Sequence, residues 1–131
     1  MSEASTTNLT VLGSDVRGPI DHVESFPAPP VCTRVRFLTE EVTSLCPVTG
    51  QPDISSVVID YEPDGLCIES KSLKLYLWSF RDRALFAESL AGEIASEIWR
   101  AASPRTVRVV VTQHARGGIV TEATADLPNP S

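Results

Sequence analysis

The chain has little positive charge and no long apolar segment, and these two absences exclude several classes of protein. Among its 131 residues, 11 lysines and arginines stand against 17 aspartates and glutamates, so the formal net charge is −6. A surface that binds nucleic acid needs a basic stripe, and this balance argues against direct binding to nucleic acid. No apolar run is long enough to span a membrane, and the first residues, MSEASTTNLTVLG, lack the basic start and apolar centre of a secretory signal. We therefore expect one globular domain without a membrane partner.

Cysteine is also scarce. The chain has three, Cys32, Cys46 and Cys67. An odd number without an export signal argues against a disulfide framework and predicts a cytoplasmic protein. No C-x-x-C pair is present, and His22 and His114 lie apart from the cysteines in the sequence, so no metal site is predicted.

The order of the hydrophobic patterns predicts an α+β fold. Residues 1–30 are rich in Ser, Thr, Asp and Pro and predict a partly irregular N-terminal arm, whereas residues 31–131 predict a single domain. The clearest helix signal is a stripe that includes Leu90, Ile94 and Ile98. The predicted elements are strands at 32–41 and 54–63, helices at 70–80 and 84–103, and strands at 106–113 and 119–127 around a turn at 114–118. This order favours an antiparallel four-stranded sheet with two helices on one face.

A four-stranded sheet has two edges, and exposed edges pair readily with another chain. The chain is also short of core for a sheet and two long helices. Both difficulties disappear if subunits join edge to edge into a ring or barrel. We therefore predict a homo-oligomer, for which two stacked rings are one arrangement.

The stretch SLCPVTGQPD, residues 44–53, has a thiol at one end of a tight loop and a carboxylate at the other. In one interpretation Cys46 is a small buried hydrophobe and Asp53 caps a turn. In the other, a nucleophile and a proton donor face one substrate.

The stretch ESKSLKLYLWSFRD, residues 69–82, contains the only two lysines of the chain, Lys71 and Lys74. Serine hydroxyls, helix N-terminal amides and two ammonium groups form a plausible anion site. The alternative is a capped helix with solvated lysines. A third stretch, RGG at 116–118, is typical of a hairpin turn, but its arginine could also reach a phosphate.

These motifs together resemble the single-module NADPH-dependent 7-cyano-7-deazaguanine reductases, which are nitrile reductases of queuosine biosynthesis. The resemblance rests on SLCPVTGQPD, IESKSLKLYLWSF and RGGI, with weaker matches in LTVLG (9–13) and VESFP (23–27). It covers residues 9 to about 119. It implies a tunnelling fold, in which subunits assemble into an oligomeric β-barrel with active sites at their interfaces.

The resemblance implies a catalytic role for Cys46 and Asp53. Cys46 would add to the nitrile carbon and form a covalent thioimide, which requires a thiolate. Asp53 would then supply a proton to the nitrile nitrogen. Hydride from NADPH would reduce the nitrile to the primary amine.

The cofactor residues implied by the resemblance are Lys71, Ser72, Lys74, Arg116 and Gly117, which would hold the phosphates of NADPH. The sequence contains no G-x-G-x-x-G, so a Rossmann domain is not predicted.

The substrate residues implied by the resemblance are Ile68, Glu69, Ser70, Ala87 and Glu88. A carboxylate such as that of Glu88 can accept from both donors on the guanine-like edge of a deazapurine. Ala87 is a departure, because the family commonly has histidine before this glutamate. A second departure is the C-terminal VTEATADLPNPS, which lacks the family's Asp/Asn-Pro-aromatic segment.

Two alternatives to the reductase remain open at this point. One is an amidinotransferase-like relative that adds ammonia or an amine to the same nitrile without NADPH. The other is a non-catalytic module that binds deazapurines.

Overall fold

The computed structural model describes residues 9–13 and 16–129, and the remaining parts of the predicted arm and of the C-terminal segment lie outside the described residues. The strands are β1 (Ser25–Pro27), β2 (Val35–Leu45), β3 (Pro52–Glu62), β4 (Leu66–Ile68), β5 (Thr106–Arg116) and β6 (Ile119–Leu127). The helices are α1 (Ser70–Trp78), a 3-10 turn (Ser79–Asp82) and α2 (Ala87–Ala102). In the described residues, the longest of these helices still falls short of the length and apolarity of a membrane span.

The main sheet has the strand order β2-β3-β5-β6, with every neighbouring pair antiparallel. Its strands alternate, so that side chains such as Val57, Ile59 and Val109 are at most 1% exposed. The stripe on α2 is buried against this face, with Ile94 and Ile98 at 0%. The predicted α+β fold, with antiparallel strands and two helices, is confirmed.

The structure adds a second sheet that the sequence did not predict. β1 and β4 pair antiparallel, with Phe26 opposite Cys67. β1 belongs to the segment that composition predicts to be partly irregular. Three-residue strands are too short to show alternation, so the pattern could not indicate either of them.

Several element ends differ from the prediction: β2, predicted at 32–41, runs from Val35 to Leu45, and two further differences have visible reasons. The helix predicted from residue 84 begins at Ala87, because the backbone before it is extended and bonded to the end of β2. Leu45 N–H donates to Arg83 O at 2.9 Å, and Leu85 N–H donates to Leu45 O at 3.3 Å. β5 continues to Arg116, so the predicted turn at 114–118 is reduced to Gly117 and Gly118, which both have positive φ.

Candidate active site

The loop between β2 and β3 brings Cys46 and Asp53 to the same end of the sheet. Ser44 lies opposite Asp53 in the strand register, and Cys46 follows β2 directly. Cys46 N–H donates to Gln51 O, and Gly50 N–H donates to Cys46 O, both at 2.8 Å. Gly50 has a φ of 73°, which favours glycine at this position. The two chemically active groups are therefore held at the base of one closed loop.

The Cys46 thiol is half-buried, and its surroundings favour the thiolate. The pKa of Cys46 is lowered by a hydrogen bond from the Thr49 side chain, then by the backbone N–H groups of Thr49 and Val48. The charge of Asp53 opposes this effect and raises the pKa, as does desolvation. The net direction is downward, as a nucleophilic thiol requires. Thr49 was not among the predicted site residues, although it lies inside the quoted motif.

Asp53 is only 4% exposed and has one cationic neighbour within the described chain. Arg116 Nη2 lies 3.2 Å from Asp53 Oδ1 and also donates to Gln51 Oε1 at 3.3 Å. Arg116 was predicted to bind a cofactor phosphate, and in this structure its guanidinium lies against the predicted proton donor. Gly117 follows it in the exposed turn. Two residues further along β3, on the same buried face, the Ser55 hydroxyl has no hydrogen-bond partner in the described chain.

The start of α1 is tied to the N-terminal arm by the residues that the sequence singles out. The Glu69 carboxylate caps the helix and accepts from the N–H groups of Lys71 and Ser72, each at 2.7 Å. Ser72 Oγ donates to Glu69 O at 2.8 Å and accepts from Glu24 N–H at 2.9 Å. Lys71 Nζ donates to Val11 O at 3.1 Å. Glu69, at 4% exposure, and Ser72, at 0%, are thus buried within structural hydrogen bonds.

Glu24 completes this attachment from the arm. Its carboxylate accepts from the backbone N–H of Thr10 at 2.9 Å and of Val11 at 3.0 Å, and also from the Thr10 hydroxyl. Its carbonyl accepts from Glu69 N–H at 2.8 Å. The arm therefore packs on α1 as part of the same structure.

Lys74 and Ser70 remain exposed on the other side of α1, where they line a groove of about 780 Å³ between α1 and β2. Trp78 and Arg81 continue the same side of the groove. Lys74 has no ion pair or side-chain hydrogen bond to the described residues. Its ammonium is therefore available to an anion.

The predicted substrate residues fall into two groups. Glu88 is exposed in the first turn of α2, and no described residue pairs with its carboxylate. Ala87 and Ile68 are buried, at 4% and 3% exposure, and Ile68 N–H donates to Tyr61 Oη at 2.8 Å. Neither buried side chain faces solvent, so any contact of theirs with a ligand would have to come from the backbone.

The predicted residues do not converge in one cavity of a single protomer. None of the residues Cys46, Asp53 and Arg116 lines the groove beside Lys74. Within the described segments, no three side chains of His, Cys, Asp or Glu type come together as metal ligands would.

Comparison with known proteins gives consistent matches. The model of the family described as "QueF-like protein" matches residues 52–131. The NADPH-dependent 7-cyano-7-deazaguanine reductase of Alkalilimnicola ehrlichii is 44% identical over 114 residues, which cover 86% of this chain and 88% of that protein. The protein of the same name from Thiobacillus denitrificans is 41% identical over 110 residues, covering 82% and 79%.

This chain is also similar to a solved structure, the archaeosine synthase QueF-Like in the apo form, with a TM-score of 0.68 and 28% identity. The match covers 72% of this chain and 92% of the chain in that structure. The likeness of this chain to a QueF-like structure agrees with the tunnelling fold that the motifs imply. The chain belongs to the QueF-like family, together with the NADPH-dependent 7-cyano-7-deazaguanine reductases that it matches over most of its length.

Proposed function

We propose that this protein reduces the nitrile of 7-cyano-7-deazaguanine to the aminomethyl group with NADPH, in the biosynthesis of queuosine. The observation that carries the proposal is the pairing of a thiol that favours its thiolate with a buried carboxylate at the base of one loop. The curated relatives at 39–44% identity over 114 residues support the same reaction. The proposed catalytic domain spans residues 31–131, and the proposed location is the cytoplasm.

Cys46 is the proposed nucleophile. Its thiolate adds to the nitrile carbon, so that a C–S bond forms and the nitrile nitrogen takes up charge and a proton. The hydrogen bonds from Thr49 and Val48 stabilise the thiolate before attack. The loop leaves Cys46 partly exposed, so that a substrate can approach it.

Asp53 is the proposed proton donor to that nitrogen. Its burial keeps bulk water from competing for the proton, and its position two residues into β3 fixes the carboxyl in the sheet.

The substrate's guanine-like edge is assigned to Glu88, with support from the Ile68–Ser70 segment. A free, exposed carboxylate suits two neighbouring N–H donors. Glu69 already accepts two backbone hydrogen bonds, so we assign its segment's contribution to backbone groups and to the Ser70 hydroxyl. Ala87 lies next to Glu88 and contributes only through its backbone.

NADPH, when bound, supplies the hydride that takes the nitrile to the amine. Lys74 fits the phosphates well, because it is exposed and without an anionic partner in the described chain. Lys71 is assigned to the phosphates as the second cation of the same helix, although its ammonium also donates to Val11 O, and Arg116 and Gly117 present a guanidinium and an unhindered backbone. Ser72 fits less well, since both of its side-chain bonds are internal.

An oligomer would unite the separated parts of the site. β2 and β6 are the edges of the main sheet, and residues on them such as Leu38 and Ile119 are 66% and 69% exposed. Edge-to-edge pairing into a barrel would cover these strands and could bring the Lys74 groove of one subunit to the Cys46 loop of its partner.

A second candidate is addition of ammonia or an amine to the same nitrile. The likeness to the archaeosine synthase QueF-Like favours it. The higher identity to the reductases, and a free lysine in the groove, favour reduction.

The two reactions separate in one experiment. The protein is mixed with 7-cyano-7-deazaguanine, with and without NADPH, while absorbance is followed in the ultraviolet. We expect a thioimide band without NADPH, and loss of two NADPH per nitrile when it is present. A thioimide band with no NADPH consumption would support the second candidate, and the absence of both signals would overturn both.

A further inference from the structure

Arg81 is a second cation on the wall of the groove between α1 and β2 that contains Lys74. Its side chain is exposed, and it has no carboxylate partner among the described residues. The nearby Arg83, in contrast, donates to Glu93 through both of its terminal nitrogens, at 2.6 and 2.7 Å. In a chain with a net charge of −6, an arginine on a groove wall without a carboxylate suits an anionic ligand.

Trp78 fixes the position of the Arg81 guanidinium. The Arg81 Cζ lies 5.7 Å from the centroid of the Trp78 ring, which is the distance of a cation–π contact. No acceptor oxygen of the described chain takes up the N–H groups of this guanidinium, so two of them remain for a phosphate. A guanidinium that is already held in place also loses less conformational freedom when a ligand binds.

The spacing of the two cations suits a ligand with two separate negative groups. Lys74, Trp78 and Arg81 follow one another at intervals of four and three residues, so they lie on one side of α1 and of the 3-10 turn that continues it. The two cations are therefore about 12 Å apart along the axis. NADPH carries its negative charge on the pyrophosphate and on the 2′-phosphate, with a ribose between them. NADH lacks the second of these groups.

The rest of the groove suits the adenosine between these phosphates. Its volume of about 780 Å³ is within the usual range of small-molecule sites, and its walls include the apolar side chains of Phe37, Leu73 and Leu77. An adenine ring can pack on such a surface. Glu41 is the one carboxylate among the described residues that line the groove, and its oxygens can accept from the adenine amino group or a ribose hydroxyl.

We propose that Arg81 binds the 2′-phosphate of NADPH and is the residue by which this protein distinguishes NADPH from NADH. Lys74 binds the pyrophosphate, which both dinucleotides carry. Trp78 is a positioning residue, because it acts through the Arg81 guanidinium. The inference rests on the proposed function and adds the group that selects the cofactor.

Calorimetric titration with NADP⁺ and with NAD⁺ tests the assignment, with circular dichroism as the check on folding. The wild type should bind NADP⁺ roughly tenfold or more tightly than NAD⁺, the usual effect of a charge-assisted phosphate contact. Arg81→Ala should remove this preference by weakening NADP⁺ binding and leaving NAD⁺ binding unchanged. Lys74→Ala should weaken the binding of both dinucleotides and keep the preference. Where NAD⁺ binds too weakly for calorimetry, the ratio of kcat/KM for NADPH and NADH gives the same comparison.

Each other outcome contradicts a definite part of the proposal. Arg105→Ala is the matched control and should leave both affinities unchanged, because Arg105 is an exposed arginine that lies 3.6 Å from Asp64. Equal weakening of both dinucleotides in Arg81→Ala, or a wild type without preference, would overturn the inference and leave the proposed function standing. A change in the sedimentation of Arg81→Ala would show that a second subunit covers the groove, and would also overturn the inference. Failure of the wild type to bind NADP⁺ would overturn the proposed function.

The role of Trp78 has its own readout. Trp78→Phe retains an aromatic face for the guanidinium, whereas Trp78→Leu keeps the groove apolar but removes the cation–π contact. The preference for NADP⁺ should fall severalfold in Trp78→Leu and remain in Trp78→Phe, with equal NAD⁺ affinity in both. A purely structural role would instead lower NAD⁺ affinity or stability in the leucine variant. A full preference in Trp78→Leu would show that Arg81 does not depend on the ring.

Discussion

The loop between β2 and β3 and the start of α1 are the two most unusual stretches of the sequence, but the fold uses them in opposite ways. In the loop, backbone hydrogen bonds hold the turn closed and leave the Cys46 thiol partly exposed. At the helix start, the Glu69 carboxylate caps α1, and the Ser72 hydroxyl accepts from Glu24 N–H of the arm, so both side chains are used in structural hydrogen bonds. An unusual motif can therefore mark a reactive group or a structural junction, and its side-chain partners distinguish the two.

The largest effect should come from Cys46→Ala. The variant should lose the covalent adduct completely, because only the thiol reacts at the nitrile carbon. It should fold and bind normally, since the loop is closed by backbone groups that alanine retains. Intact-mass spectrometry with excess nitrile measures the adduct. Cys32→Ala, which removes the other half-buried thiol, is the control and should keep it. An adduct on Cys46→Ala would show that the loop is only a turn.

The two lysines should separate function from structure within one helix. Lys74→Ala should weaken NADP⁺ binding more than tenfold, the usual effect of removing a charge-assisted phosphate contact, with no change in unfolding. Lys71→Ala should weaken binding and also lower stability, because its ammonium holds the arm at Val11 O. Calorimetric titration and urea unfolding measure the two effects. Unchanged affinity in Lys74→Ala would remove the groove from the proposed cofactor site.

The helix start itself should behave as a junction. Ser72→Ala breaks the link to Glu24, and Glu69→Gln weakens the cap on two N–H groups, so each should reduce the free energy of unfolding by about 1–2 kcal/mol. Ser70→Ala is the matched control one residue along and should change it by less than about 0.5 kcal/mol, because Ser70 is exposed. Urea unfolding provides the values. Equal stability of the Ser70 and Ser72 variants would contradict the structural role.

The sequence predicted the parts of the fold that rest on periodicity. The alternating strands and the stripe on α2 are buried as predicted, because packing reinforces each local preference. The sequence did not predict β1 and β4, because a strand of three residues is too short to show an alternating pattern. It also predicted that α2 begins too early, because Leu85 is hydrogen-bonded to Leu45 at the end of β2 instead of being helical.

For the candidate site, the motifs predicted residue types but not their partners. The contact between Arg116 and Asp53 joins positions that are far apart in the sequence, and no local pattern indicates such a contact. The internal role of Ser72 depends on Glu24, a residue of the predicted arm. Both contacts join residues that are far apart in the sequence, and a single sequence does not reveal such contacts.

The smallest predicted effect concerns Thr49, which supports the thiolate without reacting. The pKa of Cys46 lies below its ordinary value chiefly because the Thr49 side chain donates to the sulfur. Thr49→Val removes this donor and leaves the backbone N–H groups, so the pKa should rise toward its ordinary value. Alkylation by iodoacetamide near neutral pH should then slow by roughly two- to tenfold, and the rates should converge at high pH, where the thiol is ionised in both proteins. Thr49→Ser retains the hydroxyl and should react like the wild type, while Cys46→Ala gives the background from the other cysteines. If the serine and valine variants slow equally, packing around Thr49 rather than its hydrogen bond would account for the reactivity of Cys46.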